Sequence, residues 1–211
     1  MAYLTLKLNT GVDMQNKLTV VMCLSVLSVA VLFSGCASFS KPSESNFKNP
    51  VVTLNYVDLA HYFGWWYYNK KVEPTKGKAG DNAAPLDYAF IFNIENPNSY
   101  PVMLESLKFA CVLDGFEINS GYSNEPMWIP AGKTNQLKVE VMYDFSGTQM
   151  SLLVVAGQEL KDKGINWLDW IEKIWTQAPD FTFPIRVTQG AAVFKADGLT
   201  RVVAFEGGYP K

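Results

Sequence analysis

The spacing of apolar residues changes along this chain, and each change marks a boundary. Leu18 to Phe33 is a sixteen-residue apolar run without a period, preceded by Lys17 and followed by the small residues Ser34 and Gly35. It is too short to span a ~30 Å hydrocarbon layer comfortably, so cation, apolar stretch and small residues together read as a secretory signal. Met14-Gln15-Asn16-Lys17 makes a compact start for that signal, and Met14 competes with Met1 as the first residue. Ser38 to Pro50 is rich in Ser, Lys, Asn and Pro and shows no period, as expected of a tether. The folded part is predicted to begin near Val51.

From there a period of two dominates. Val51, Val52, Leu54, Val57 and Leu59 lead into His61-Tyr62-Phe63-Gly64-Trp65-Trp66-Tyr67-Tyr68, where both faces of a strand would be apolar or aromatic. Glu73 to Asp87 reads as a long flexible loop, and Tyr88, Phe90, Phe92 and Ile94 then share one face of a strand. Asn96-Pro97-Asn98 stops that strand. Pro97 has no N–H for a ladder and disfavours helix at Asn96, while Asn98 tolerates left-handed geometry and can cap the turn with its own amide. A strand over Leu104 to Leu113 ends at Asp114-Gly115, a short one around Phe116 to Ile118 precedes a Ser120-Gly121 turn, and Pro130-Ala131-Gly132 is another turn. Leu137, Val139, Val141 and Tyr143 alternate with Lys138, Glu140 and Met142 in a further strand. After Ser146-Gly147 the period becomes helical, with Met150, Leu153, Val154 and Leu160 predicted on the packed side and a stop at Lys163-Gly164. Asn166 is placed to cap a second helix with Trp167, Trp170, Ile171 and Ile174 at helical spacing up to Pro179. Phe181 to Val187, Ala191 to Ala196 and Thr200 to Phe205 read as closing strands.

Charge and cysteine content narrow the chemistry. The chain has 18 Lys and Arg against 20 Asp and Glu; the leader holds Lys7, Lys17 and Asp13, so 16 stand against 19 after it. A mildly acidic, scattered balance argues against nucleic acid as a partner, which needs clustered cations. Cys23 leaves with the leader, and Cys111 lies in Leu107-x-Phe109-x-Cys111-x-Leu113, which places its sulfur on the inward face of a strand as a structural thiol. His61 is the sole histidine, and no Gly-x-Ser-x-Gly elbow accompanies it. Gly132-Lys133-Thr134 imitates the end of a phosphate loop, but Met127 stands where the first glycine belongs. One histidine and one buried cysteine cannot supply a tetrahedral metal site, and no cofactor is expected. A carboxylate dyad assembled only by the fold stays open at this point. Trp65, Trp66, Trp167, Trp170 and Trp175 have two readings, core packing or a binding surface for lipid, glycan or an envelope protein.

Two resemblances rest on these residues. Val31-Leu32-Phe33-Ser34-Gly35-Cys36 resembles a bacterial lipobox, with Phe33 where leucine is usual. The resemblance implies that Cys36 becomes the mature N-terminus and carries a diacylglycerol and a further acyl chain such as palmitate, giving a stable membrane anchor; plain signal cleavage and an uncleaved anchor are the alternatives. Ala37 in place of Asp implies sorting to the outer membrane, facing the periplasm, in a cell that has one. Phe90 to Val102 with its Asn96-Pro97-Asn98 turn, the strand and turns to Gly121, then Ile129-Pro130-Ala131-Gly132 and the strand to Phe145 resemble the late embryogenesis abundant type 2 domain, also called the water stress and hypersensitive response (WHy) domain. That resemblance implies an antiparallel Ig/fibronectin-III-like β-sandwich with one or two short helices, no enzymatic activity and a role in desiccation stress. The expected organisation is a signal over 1–35, a lipidated tether over 36–50, the sandwich domain over 51–206 and a tail over 207–211.

Overall fold

The computed structural model describes residues 41–65 and 84–210. The chain divides into two compact units, Met1–Phe39 and Ser40–Lys211, and the described residues belong to the second. The leader, Met14, Cys23, Cys36, Trp66 to Tyr68 and the predicted loop from Glu73 as far as residue 83 lie outside the described residues.

Alternation of apolar and polar residues produces eight strands in the described part: β1 Val51–Tyr62, β2 Leu86–Glu95, β3 Val102–Leu113, β4 Phe116–Ser123, β5 Met127–Ile129, β6 Thr134–Tyr143, β7 Ile185–Ala196 and β8 Leu199–Tyr209. They pair antiparallel in two sheets, one ordered β1-β2-β6 and the other β4-β3-β7-β8, with β5 also on β3. The fold is an antiparallel β-sandwich, as the pattern predicts. Between the sheets, Phe109 meets Phe90 and Phe92 at 5.1 Å each, and Phe205 meets Phe92 at 5.5 Å. These tilted and edge-on contacts join one strand of the first sheet to two of the second, and such pairs contribute about 0.5–1.5 kcal/mol each beyond burial. The sheet edges also meet: Gly207 of β8 leaves no room for a side chain beside Leu54 of β1, and Asn119 of β4 donates to the Met142 carbonyl of β6 at 3.0 Å.

Two helices follow β6. Helix α1, Phe145–Asp162, begins where the Asp144 carboxylate accepts the Gly147 N–H, and it closes with Ile165 N–H on the Leu160 carbonyl. Helix α2, Trp167–Gln177, is capped by Asn166, whose side-chain oxygen accepts from Leu168 and Asp169 as the spacing predicts. A short 3-10 turn, Ala178–Asp180, leads to β7.

Several sequence expectations are corrected. α1 buries Phe145, Thr148, Leu152, Ala156 and Leu160, whereas Met150, Leu153 and Val154 are exposed, so of the predicted packed side only Leu160 is in the core. Ser120 and Gly121 are not a turn but lie inside β4; Gly121 faces the Phe109 ring so closely that an added Cβ would come within 2.3 Å of it. Strand β2 starts at Leu86, inside the predicted loop, and β5 is a strand the pattern misses. Phe181 and Thr182 precede β7, which runs unbroken through the two segments read as separate strands. β8 continues to Tyr209, into the predicted tail. Finally, residues 41–50 are not a free tether, because Phe47 and Pro50 are buried against the domain.

Candidate functional site

Asn96 and Asn98 are two of the few buried polar residues, 0% and 3% exposed, and they form a hub at one end of the sandwich. The Asn96 amide donates to the carbonyls of Tyr100 (2.8 Å), Ile129 (3.0 Å) and Pro130 (3.2 Å), and its oxygen accepts from both the backbone and side-chain nitrogens of Asn98. Asn98 in turn exchanges two hydrogen bonds with the main chain of Lys48, at 2.8 and 2.9 Å. The main-chain N–H groups of Asn96 and Gly132 close the hub on Lys133 and Asn98 carbonyls. Asn98 does not adopt left-handed backbone geometry; the side chain that caps the turn is that of Asn96. A buried amide saturated in this way joins segments far apart in sequence, which a hydrophobic contact could do only without direction.

Residues 41–50 are clasped to this same end. Tyr100 donates to Asn46 at 2.9 Å, the Phe47 ring packs edge-on to Tyr100 at 6.3 Å, and the Arg201 guanidinium lies 5.5 Å over Phe47 while pairing with Glu44 at 2.6 Å. Sequence reasoning missed this clasp. Its one signal is Phe47 itself, a bulky apolar residue in a polar stretch.

The tryptophans proposed as a binding surface are mostly interior. Trp65, Trp170 and Trp175 are buried, and Trp167 is half-buried with its ring 6.4 Å from Phe145, which Trp65 also meets at 5.9 Å. Trp175 donates its indole N–H to the Ala84 carbonyl at 2.7 Å, and Trp170 stands perpendicular to Phe116 at 5.6 Å. The helix turns its apolar stripe onto the sandwich, so core packing takes the indoles and no surface is formed from Trp65, Trp170 and Trp175. Among the described residues the exposed tryptophan is Trp128 on β5, 61% accessible, which no periodicity singled out.

Two reactive residue types remain. Cys111 is fully buried, and burial pushes its thiol up to about 12, with the Tyr143 hydroxyl and Gly121 backbone pulling weakly the other way. Tyr88 and Tyr143, edge-on at 6.0 Å, are raised for the same main reason, loss of water around the phenolate. A thiol held protonated is a poor nucleophile. His61 lies at the surface with Nδ1 3.2 Å from the Asp87 carboxylate, and the residue paired with Asp87 on its other side is Met142, so no nucleophile completes this dyad through the sheet. Among the described residues no group of three or more His, Cys, Asp or Glu side chains is placed to hold a metal ion, and no helix is long and apolar enough to cross a membrane. An open groove of about 440 Å³ lies over Ala110 and Gly121 between Lys108, Tyr122 and Gln189.

Fold and hub together define a β-sandwich organised around an asparagine-proline-asparagine turn. No protein-family model matches the sequence, and no curated protein matches it. Among solved structures, an Arabidopsis thaliana protein is similar at 15% identity over 81% of this chain and 82% of its own, with a TM-score of 0.39. A candidate late embryogenesis abundant (LEA) protein is similar at 12% identity over 93% and 87%, with a TM-score of 0.36. A protein from Archaeoglobus fulgidus is similar at 16% identity over 75% and 98%, also with a TM-score of 0.36.

Proposed function

We propose that this chain is a lipid-anchored envelope protein of the late embryogenesis abundant type 2 (WHy) kind that acts without catalysis and protects surfaces as water is withdrawn. The observation that carries the reading is the role of the family-like residues: Asn96 and Asn98, on either side of Pro97, form a buried hub on which a β-sandwich closes. The protonated interior thiol, and Met142 rather than a nucleophile as the β6 residue beside the exposed His61–Asp87 pair, support action through surface and mass rather than through a reactive group. Cys36 is the anchoring residue, and the cell envelope is the location, at the periplasmic face of the outer membrane in a cell that has one.

A second reading, an envelope binding module, is favoured by one observation. Residues 145–158 of α1 carry no charge, and Met150, Val154 and Val155 stand in solvent. The deciding experiment dries or freezes a labile enzyme, or dye-loaded liposomes, with residues 37–211 or with an equal mass of an inert protein. Better recovery with the domain, and intact activity of His61→Ala in the same assay, are expected. No advantage, together with a lipid or glycan retained through native purification and seen by mass spectrometry, would replace the protectant with the binding module.

A further inference from the structure

The clasp fixes where the chain enters the domain, and this limits how the domain can lie on a membrane. Residues 41–50 are held by Arg201, Tyr100 and Asn98, so on the anchored reading only Ala37 to Ser40 separate Cys36 from the first described residue, Lys41. Five residue steps span at most about 17 Å, against a headgroup layer of roughly 5–7 Å per leaflet. A leash this short keeps the clasped end close to the lipid surface.

Trp128 lies at that end. The next residue, Ile129, gives its carbonyl to Asn96, which is tied through Asn98 to Lys48. Trp128 pairs with Met103, on the sheet face opposite to the buried Val102 and Ile129, and its indole is 61% exposed although every other fully described tryptophan is buried or half-buried. Lys48 and Lys133, both exposed, flank the same turns, with Glu95 there to keep the net charge small. An exposed indole beside lysines on a near-neutral surface matches the interfacial zone of a lipid layer, where the ring is buried and its N–H stays among polar groups.

We propose that the end of the sandwich bearing the Asn96–Asn98 turn is the membrane-facing end, and that Trp128 seats its indole in the headgroup region of the lipid to which the chain is anchored. The inference rests on the Cys36 anchor of the preceding section. One indole would not hold a free domain on a bilayer, but the tether raises its effective concentration at the surface to the millimolar range, and a weak contact then suffices.

The test uses the purified full-length gene product in phosphatidylcholine vesicles whose acyl chains carry bromine near the headgroup. Tryptophan emission is compared between the natural protein and Trp128→Phe, a change at an exposed position that leaves the fold intact. Brominated lipid is expected to quench the natural protein, and most of that quenching is expected to vanish in Trp128→Phe. Equal quenching of the two forms overturns the proposal. Mass spectrometry of the N-terminal peptide tests the anchor separately: a bare Cys36 thiol means that the anchoring reading fails. Coupling a maleimide phospholipid to that thiol, in a Cys23→Ser form, then restores the tether, and the same comparison still decides the orientation.

Discussion

Asn96 concentrates more directional bonding than any other described side chain, and its replacement tests the hub directly. Asn96→Ala leaves carbonyls of Tyr100, Ile129 and Pro130 without their donor in a site 0% exposed, and should cost roughly 2 to 4 kcal/mol. Asn96→Asp should cost more, because it sets a carboxylate against three carbonyl oxygens. Urea unfolding of the two variants checks the order. Cys111 offers a pH test with a definite sign. Its folded value is raised from 9.0 to about 12 by burial, so the stability it contributes is fully present below pH 9 and is lost as pH rises toward 12. In that window the unfolded chain sheds a proton that the folded chain keeps, and stability falls by roughly 1 kcal/mol per pH unit. Tyr88 and Tyr143 act in the same direction at higher pH. Denaturant unfolding of Cys111→Ala, itself about 1–2 kcal/mol less stable from the small cavity, should show a shallower alkaline decline than the natural protein. Cys111→Asp should lose several kcal/mol at neutral pH. An equal decline in both proteins would mean that the thiol is not the titrating group.

Among the elements, α1 shows where periodicity fails. Its first fourteen residues carry no charge, and apart from Gln149 and Gln158 they are apolar or small, so helical spacing alone offers two equivalent faces. The face that lands on β4 and α2 is the one containing Leu152 and Ala156. Leu152→Ala should therefore cost about 2–5 kcal/mol, while Val154→Ala should stay within about 0.5 kcal/mol, as read by thermal or urea unfolding. The strands were far more legible, most clearly β6, where Leu137 and Val139 alternate with Gln136, Lys138 and Glu140 and a slip of one residue would turn the apolar set outward. Ser120-Gly121 misled for a local reason. Glycine there answers a need for space beside Phe109 across the core, which no short-range pattern reports. The 41–50 clasp is similar: Phe47→Ala should cost on the order of 3 kcal/mol, the usual range for losing a buried phenylalanine, and should make this segment sensitive to protease.

For the molecule as a whole, anchoring is the property to test first. Cys36→Ala is expected to abolish labelling by a fatty-acid probe and to leave the precursor uncleaved or cleaved elsewhere; unchanged labelling would remove the lipobox argument. The sequence by itself determined the strand-rich class, the two helices with the Asn166 cap, the inward thiol of Cys111 and the turn at Asn96-Pro97-Asn98, because each follows from neighbours within a few residues: alternation, capping chemistry and the missing N–H of proline. Only the tertiary structure decided that three of the tryptophans belong to the core, that α1 turns Met150 and Val154 outward, and that Phe47 and Arg201 bind the entering chain to the hub. Those outcomes depend on which surfaces compete for the same apolar face once the sheets have closed, and that competition is between residues tens to more than a hundred positions apart.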